Sequence, residues 1–181
     1  MHKYSLKDVK RTYSYYGKSP FMYNISTNII FFGFQNYLRR KAIDNLNLKI
    51  GDKVLDVACG MGTNFDYLFN KVQSQGAIVG VDYSSEMINT ATERVVKNKW
   101  DNINLIRKDA AKINFPDNYF DGIISIIGIS SIPDHKNALR NAIKSLKNGK
   151  RIVILDAKYF DGLYKFFNPL IKIVRWSKSW D

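Results

Sequence analysis

The sequence predicts an α/β fold with a doubly wound, mainly parallel sheet and helices on both faces. Short runs of Val, Ile and Leu alternate along the chain with longer stretches whose apolar residues recur at helical spacing. The short runs are apolar on both faces, as the buried strands of a parallel sheet are. At 181 residues, with 45% hydrophobic and 24% charged residues, the chain has the length and composition of one folded domain.

Five strands are predicted from about residue 48 onward. Their apolar residues are mostly β-branched or Leu, and turn residues follow them. The predicted strands are Lys53–Val57, Ala77–Asp82, Ile103–Arg107, Phe120–Ile126 and Arg151–Asp156.

Helices are predicted between these strands over Asn64–Val72, Ser85–Asn98 and Lys136–Leu146. We expect Ser84 or Ser85 to cap the second of them, because an acidic first turn follows. We expect Asn148–Gly149 to stop the third. A last helix is predicted over residues 159–176, where aromatic and basic residues share an amphipathic pattern. Covering the sheet is the favoured role for this helix, and contact with a membrane interface is the alternative.

Residues 1–47 form a separate zone in the sequence. Nine aromatic residues lie between Tyr13 and Tyr37, and Lys18 is the only cation among them. We interpret residues 1–47 as an aromatic helical lid and residues 48–181 as the ligand-binding domain, together one compact unit.

Charge and cysteine content narrow the function classes. The net charge of +12 comes from 20 Lys and 8 Arg against 16 acidic residues, and its densest group is Arg39-Arg40-Lys41. Because this charge is scattered, we interpret it as solvated surface rather than a nucleic-acid site.

Cys59 is the single cysteine, which favours a reducing, cytoplasmic location. No apolar run reaches the length of a spanning helix, and the N-terminus is not that of a secretory signal, so any membrane association is expected to be peripheral.

The turn after the first predicted strand carries the first chemical signal. It reads Asp56-Val57-Ala58-Cys59-Gly60-Met61-Gly62, and glycines there let the backbone turn sharply and approach a ligand. Asp82 ends the second strand, where a carboxylate can accept both hydroxyls of a ribose. The carboxylate of Asp56, at the start of this turn, suits a ligand with a cationic sulfonium and an ammonium group better than one with a pyrophosphate. Asp109-Ala110, after the third strand, can meet an adenine edge. Taken singly, these carboxylates could be helix caps and these glycines could serve packing.

In their order and spacing, these segments resemble class I S-adenosylmethionine-dependent methyltransferases. The resemblance covers about Tyr23 to Leu155 and is nearest to the ubiquinone/menaquinone C-methyltransferases and related small-molecule and lipid methyltransferases. It implies a Rossmann-like fold and an S-adenosylmethionine cofactor. It also implies a cofactor site in which the loop holds the methionine part, Asp82 the ribose, Tyr83 and Asp109-Ala110 the adenine, and Ile126 lies under the cofactor. The implied cofactor residues are Asp56, Ala58, Gly60, Met61, Gly62, Asp82, Tyr83, Asp109, Ala110 and Ile126.

The sequence also departs from that family. The quinone enzymes carry Arg-Asn just after the fourth strand, where this chain has Ser130-Ser131. Relatives add an antiparallel hairpin after the fifth strand, whereas only 26 residues follow Leu155 here, so the edge hairpin is expected to be missing or replaced.

The hypothesis from the sequence is methyl transfer to a small amphiphilic, lipid-like or quinone-like acceptor. RNA or protein methylation and a non-catalytic cofactor-binding module are the alternatives. No catalytic residue is assigned, because His135, the one histidine near the expected acceptor, is more simply explained as a surface-loop residue. No His, Cys and Glu cluster has metal-ligand spacing, so no metal is expected.

Overall fold

The structure is a computed structural model that describes residues 5–18, 25, 28 and 33–156. The helix that the sequence predicts over residues 159–176 lies outside the described residues.

Helices and strands alternate after an N-terminal helical part. In chain order the elements are α1 (Leu6–Lys18), α2 (Gln35–Asp44), β1 (Lys53–Val57), α3 (Phe65–Val72), β2 (Ala77–Asp82), α4 (Ser85–Asn98), β3 (Ile103–Arg107), a 3-10 turn (Ala110–Lys112), β4 (Phe120–Ile126), a second 3-10 turn (Ile129–Ser131), α5 (His135–Lys144) and β5 (Leu146–Leu155).

The five strands form one sheet in the order β3-β2-β1-β4-β5, and every neighbouring pair is parallel. The predicted α/β fold is confirmed, and the first four strands have the predicted bounds. The chain runs outward from β1 through β2 to β3, then returns to β4 on the other side of β1. The order therefore reverses between β1 and β4, where open parallel sheets bind ligands.

The predicted boundary between α5 and β5 is wrong. The sequence places Leu146 on the helix and begins the strand at Arg151, whereas α5 ends at Lys144 and β5 begins at Leu146. The carbonyl of Ser145 accepts hydrogen bonds from the amides of Tyr119 and Phe120, at the start of β4, which brings Leu146 opposite Phe120. A register shift then follows, so the predicted stop signal Asn148–Gly149 lies inside the strand.

The core has two layers because successive strand residues point to opposite faces of the sheet. Val54 packs on one face with residues of α2, α3 and α4, including Ile43 and Phe65, while Leu55 packs on the other face with Phe120. All five side chains are at most 1% exposed. The α2 part of the predicted lid thus shares a core cluster with the sheet.

The cap prediction for α4 is confirmed at Ser84, whose hydroxyl accepts a hydrogen bond from the Met87 amide at 3.3 Å. Within the described ranges, no helix has the length and apolar character needed to cross a bilayer.

Candidate functional site

A cavity opens at the carboxyl ends of β1 to β4, beside the reversal in strand order. It contains about 560 Å³ of empty space, part of it open to solvent. Its walls come from α1, from the loops after β1, β2, β3 and β4, and from the first turn of α4. The lining residues are Leu6, Val9, Tyr13, Ala58, Gly60, Val81, Asp82, Tyr83, Met87, Lys108, Asp109, Ala110, Ile127, Gly128, Ser131, Ile132 and Pro133.

Asp82 lies where β2 ends and joins two walls of the cavity. Its Oδ2 accepts from the Gly60 amide and its Oδ1 from the Ser84 amide, both at 2.9 Å. Burial raises the pKa of Asp82 above its ordinary value, and the backbone N–H groups oppose that rise. Each oxygen of a carboxylate has a second lone pair, so Asp82 can still accept two hydroxyls of a ligand while it holds the loop.

The two glycines of the loop after β1 have different roles. Gly60, at φ +55°, lines the cavity, and a Cβ there would find one atom within 4 Å, the sulfur of Met87 at 4.0 Å. The open space beside Gly60 is therefore available to a ligand. Gly62, at φ +71°, is not part of the cavity wall, and a Cβ there would lie 2.4 Å from the ring of Phe65. Gly62 thus serves packing of the loop against α3, the alternative that the sequence left open.

Asp56 is fully buried, at 0% exposure, and lies behind the loop rather than on the cavity wall. Both of its oxygens accept from Asn64 Nδ2, at 3.0 and 2.9 Å, and Asn64 Oδ1 accepts from the guanidinium of Arg39. Burial raises the pKa of Asp56 to about 7, against the lowering effect of Asn64 and Arg39. Asp56, one of the implied cofactor residues, therefore acts, in this structure, on the loop.

The β3 side of the cavity holds Asp109 and Ala110, as predicted, together with Lys108. Asp109 accepts from the Ala111 amide at 3.0 Å and so caps the first 3-10 turn. The capping alternative for this carboxylate is confirmed, and the cavity wall includes it as well. Tyr83 lies across the cavity, after β2.

Strained backbone is found at the ends of the adjacent strands β1 and β4. Ala58 after β1 has φ +55° and Ile127 after β4 has φ +57°, and both line the cavity. A β-branched residue at positive φ is uncommon, and such strain is concentrated at functional sites. The left-handed turn exposes Ile127 to the cavity, while Ile126, the residue predicted to lie there, is 5% exposed and packs in the core.

The α1 helix closes the cavity on the outer side. Leu6, Val9 and Tyr13 recur at the spacing of one helix face and line the wall. The hydroxyls of Tyr13 and Ser131 are hydrogen-bonded at 2.5 Å, which links α1 to the turn after β4. Ser14 donates to Glu86 at 3.0 Å and so joins α1 to the start of α4.

Six of the ten predicted cofactor residues line the cavity, and four do not: Asp56, Met61, Gly62 and Ile126. Met61 is 4% exposed and packed in the interior. Sequence reasoning missed the α1 face, Met87, Lys108, Ile127 and the turn from Gly128 to Pro133. The helical spacing of Leu6, Val9 and Tyr13 was a usable signal for the first of these.

The prediction that Arg39-Arg40-Lys41 is solvated is wrong for one residue. Arg40 and Lys41 are exposed, but Arg39 is 2% exposed because it reaches Asn64 in the interior.

His135 begins α5 as an exposed residue and is absent from the cavity wall. Ser130 donates its amide to Asp156 at 2.9 Å. Among the described residues, no three His, Cys, Asp or Glu side chains form a group that could hold a metal ion.

The sequence of this chain is similar to those of named methyltransferases. The demethylmenaquinone methyltransferase of Staphylococcus haemolyticus is 31% identical over 150 residues, covering 80% of this chain and 62% of that protein. The enzyme of the same name from Desulfitobacterium hafniense is 30% identical over 165 residues, covering 87% of this chain and 64% of that protein. This chain therefore spans a little under two thirds of the length of these relatives.

Solved structures share the fold. A SAM-dependent methyltransferase from Aquifex aeolicus superposes with a TM-score of 0.63 at 25% identity, over 75% of this chain and 76% of that one. A phosphoethanolamine N-methyltransferase from Haemonchus contortus, solved with phosphomonomethylethanolamine and S-adenosylhomocysteine, gives 0.64 at 23% identity, over 77% and 32%. The profile of the ubiE/COQ5 methyltransferase family matches residues 6–166. Since this match spans most of the chain and agrees with its fold and motif order, the chain belongs to the ubiE/COQ5 methyltransferase family.

Proposed function

We propose that this chain binds S-adenosylmethionine in the cavity and transfers its methyl group to a small, quinone-like acceptor. One observation carries the proposal: the Asp82 carboxylate stands at the end of β2, holds the Gly60 loop, and faces a cavity open beside Gly60. Membership of a methyltransferase family supports the same function.

The residues of the cavity fit this cofactor. Asp82 supplies two charged acceptors for the hydroxyls of a ribose, and Gly60 leaves room for a ligand beside the backbone. Among the described residues, no set of several cations faces the loop as a phosphate site requires, since Lys108 is the one Lys or Arg of that part of the chain that lines the cavity.

When bound, S-adenosylmethionine supplies an activated methyl group on a sulfonium. The chain then has to orient the acceptor and exclude water. Asp82 and Gly60 would hold the ribose and methionine side, Tyr83 and Asp109-Ala110 the adenine side. Met87, with its polarizable thioether, lies next to Gly60 and lines the cavity.

The acceptor half of the cavity would be the part between α1 and the turn after β4. Leu6, Val9, Ile132 and Pro133 make it apolar, as a ring or a short isoprenoid chain requires. The Tyr13–Ser131 hydroxyl pair is its polar element, able to donate to or accept from a hydroxyl of the acceptor. The names of the relatives, demethylmenaquinone methyltransferases, support a quinone-like acceptor. An acceptor of this kind also supports peripheral contact with a membrane surface.

Methyl transfer with labelled S-adenosylmethionine tests the proposal. Purified protein is offered a short-chain demethylmenaquinol analogue, a protein extract and total RNA, each with and without liposomes. We expect label in the quinol, and none with the Asp82→Ala variant. Label in RNA or protein alone would support the alternatives of macromolecule methylation. Cofactor binding without label in any acceptor would leave a non-catalytic module.

A further inference from the structure

Asp56 and Asn64 stand at the two ends of the loop that carries Gly60. A single amide group, Asn64 Nδ2, donates to both oxygens of Asp56 and thus joins the end of β1 to the residue before α3. Asn64 is the N-cap residue of α3, yet its side chain makes no capping hydrogen bond to that helix. Its amide is committed instead to closing the loop.

Arg39 reaches this pair from a distant part of the sequence. It lies on α2, donates through Nη1 to Asn64 Oδ1, and is 2% exposed, as is Asn64. A buried Arg is rare unless it is paired, since removing a cation from water is costly. A guanidinium buried behind a ligand-binding loop therefore indicates a specific interaction with the charge of Asp56.

We propose that Arg39 is a positioning residue for the cofactor loop, holding Asn64 against the Asp56 carboxylate and thereby fixing the backbone that presents Gly60 to the cavity. The inference rests on the proposed function only for the choice of ligand used below. It also ties α2, the end of the predicted lid, to the conformation of the loop.

The charge of Asp56 gives the proposal a readout that packing alone does not. Asp56 is buried, burial raises its pKa to about 7, and the positive charge of Arg39 acts against that rise. Two other titratable groups interact electrostatically with Asp56. The charge of Asp82, at the end of β2, raises the pKa of Asp56, and the charge of Asp56 raises the pKa of Cys59 in the loop. Without Arg39, ionisation of Asp56 at higher pH leaves a carboxylate with no counter-charge, which destabilises the closed loop.

Three variants separate the roles: Arg39→Met, the matched control Arg40→Met on an exposed neighbour, and the neutral pair Arg39→Met/Asp56→Asn. Amide exchange in the free protein reports on the loop, because Cys59 and Gly62 N–H groups have defined acceptors at 3.0 Å. Calorimetry with S-adenosylhomocysteine at about pH 6 and about pH 8.5, on either side of the ordinary neutral range, gives the pH profile.

We expect the loop amides of Arg39→Met to exchange about ten-fold faster or more, and its ligand affinity to fall by about ten-fold between the lower and the higher pH. Arg40→Met behaves as the wild type, and the neutral pair loses the pH dependence. Equal exchange and affinity in Arg39→Met and Arg40→Met would overturn the proposal. So would a neutral pair no better than Arg39→Met at the higher pH, since lost packing would then explain the effect.

Folding failure is also informative. If Arg39→Met does not fold, the neutral pair is expected to restore the folded protein, and an unfolded neutral pair contradicts the charge argument. If the wild type does not bind S-adenosylhomocysteine, the proposed function fails, while the exchange of the loop amides still tests the role of Arg39.

Discussion

Replacing Asp82 by Ala removes the carboxylate that joins β2 to the cofactor loop. In the structure Asp82 accepts from the amides of Gly60 and Ser84 and lines the cavity, and each of its oxygens keeps a second lone pair for a ligand. Two hydrogen bonds from ligand hydroxyls to a charged acceptor contribute about 3 to 6 kcal/mol together. Their loss should raise the dissociation constant of S-adenosylhomocysteine by about two to four decades.

Titration calorimetry measures this change directly. Asp101→Ala is the matched control, because Asp101 is an exposed carboxylate in the turn before β3, away from the cavity wall. Circular dichroism at the assay temperature checks that Asp82→Ala is folded, since two backbone N–H groups lose their acceptor. A dissociation constant within about three-fold of both the wild type and the control would refute the assignment of the ribose contact to Asp82.

Three further predictions follow from single contacts. Gly62→Ala should lower the free energy of unfolding in urea by about 1 to 3 kcal/mol, because its Cβ would lie 2.4 Å from Phe65 at positive φ. Gly60→Ala shares the strain of a positive φ, +55°, but meets no close atom, so it should destabilise less than Gly62→Ala and also weaken binding of S-adenosylhomocysteine; equal destabilisation of both variants would contradict this difference. The folded pKa of Asp56, about 7, lies above its ordinary 3.8, so the folded state keeps a proton that the unfolded chain has released between these values. Urea unfolding at several pH values should therefore show stability falling as pH rises through that window, by up to about 4 kcal/mol, and Asp56→Asn should abolish the fall. Tyr13→Phe should lower kcat/KM for the quinol while leaving the affinity for S-adenosylhomocysteine unchanged. A lower affinity for S-adenosylhomocysteine would instead place Tyr13 on the cofactor side of the cavity.

The sheet and the position of the cavity were predictable because both follow from local signals. Each of the first four strands is a short apolar run followed by turn residues, and the carboxyl ends of parallel strands meet at one edge. The β5 boundary was not predictable in this way. Leu146 fits the apolar face of α5 by spacing, and only its pairing with Phe120 across the sheet decides its place.

Side-chain roles within the site depended on tertiary contacts that the sequence does not display. Arg39 looked like one of three solvated cations until its pairing with Asn64 placed it in the interior. Gly60 and Gly62 are alike in the sequence, and the ring of Phe65 alone separates packing from ligand approach. Ile127 lines the cavity in place of the expected Ile126 because the backbone turns left-handed at the end of β4.

The central claim is that the cavity beside Gly60 and Asp82 accepts S-adenosylmethionine rather than a nicotinamide dinucleotide. Calorimetric titration of the wild-type chain with S-adenosylhomocysteine and, separately, with NAD⁺ tests it most directly. We expect saturable one-to-one binding of S-adenosylhomocysteine and no binding of NAD⁺ at the same concentrations. Tight binding of NAD⁺ with no response to S-adenosylhomocysteine would contradict the claim.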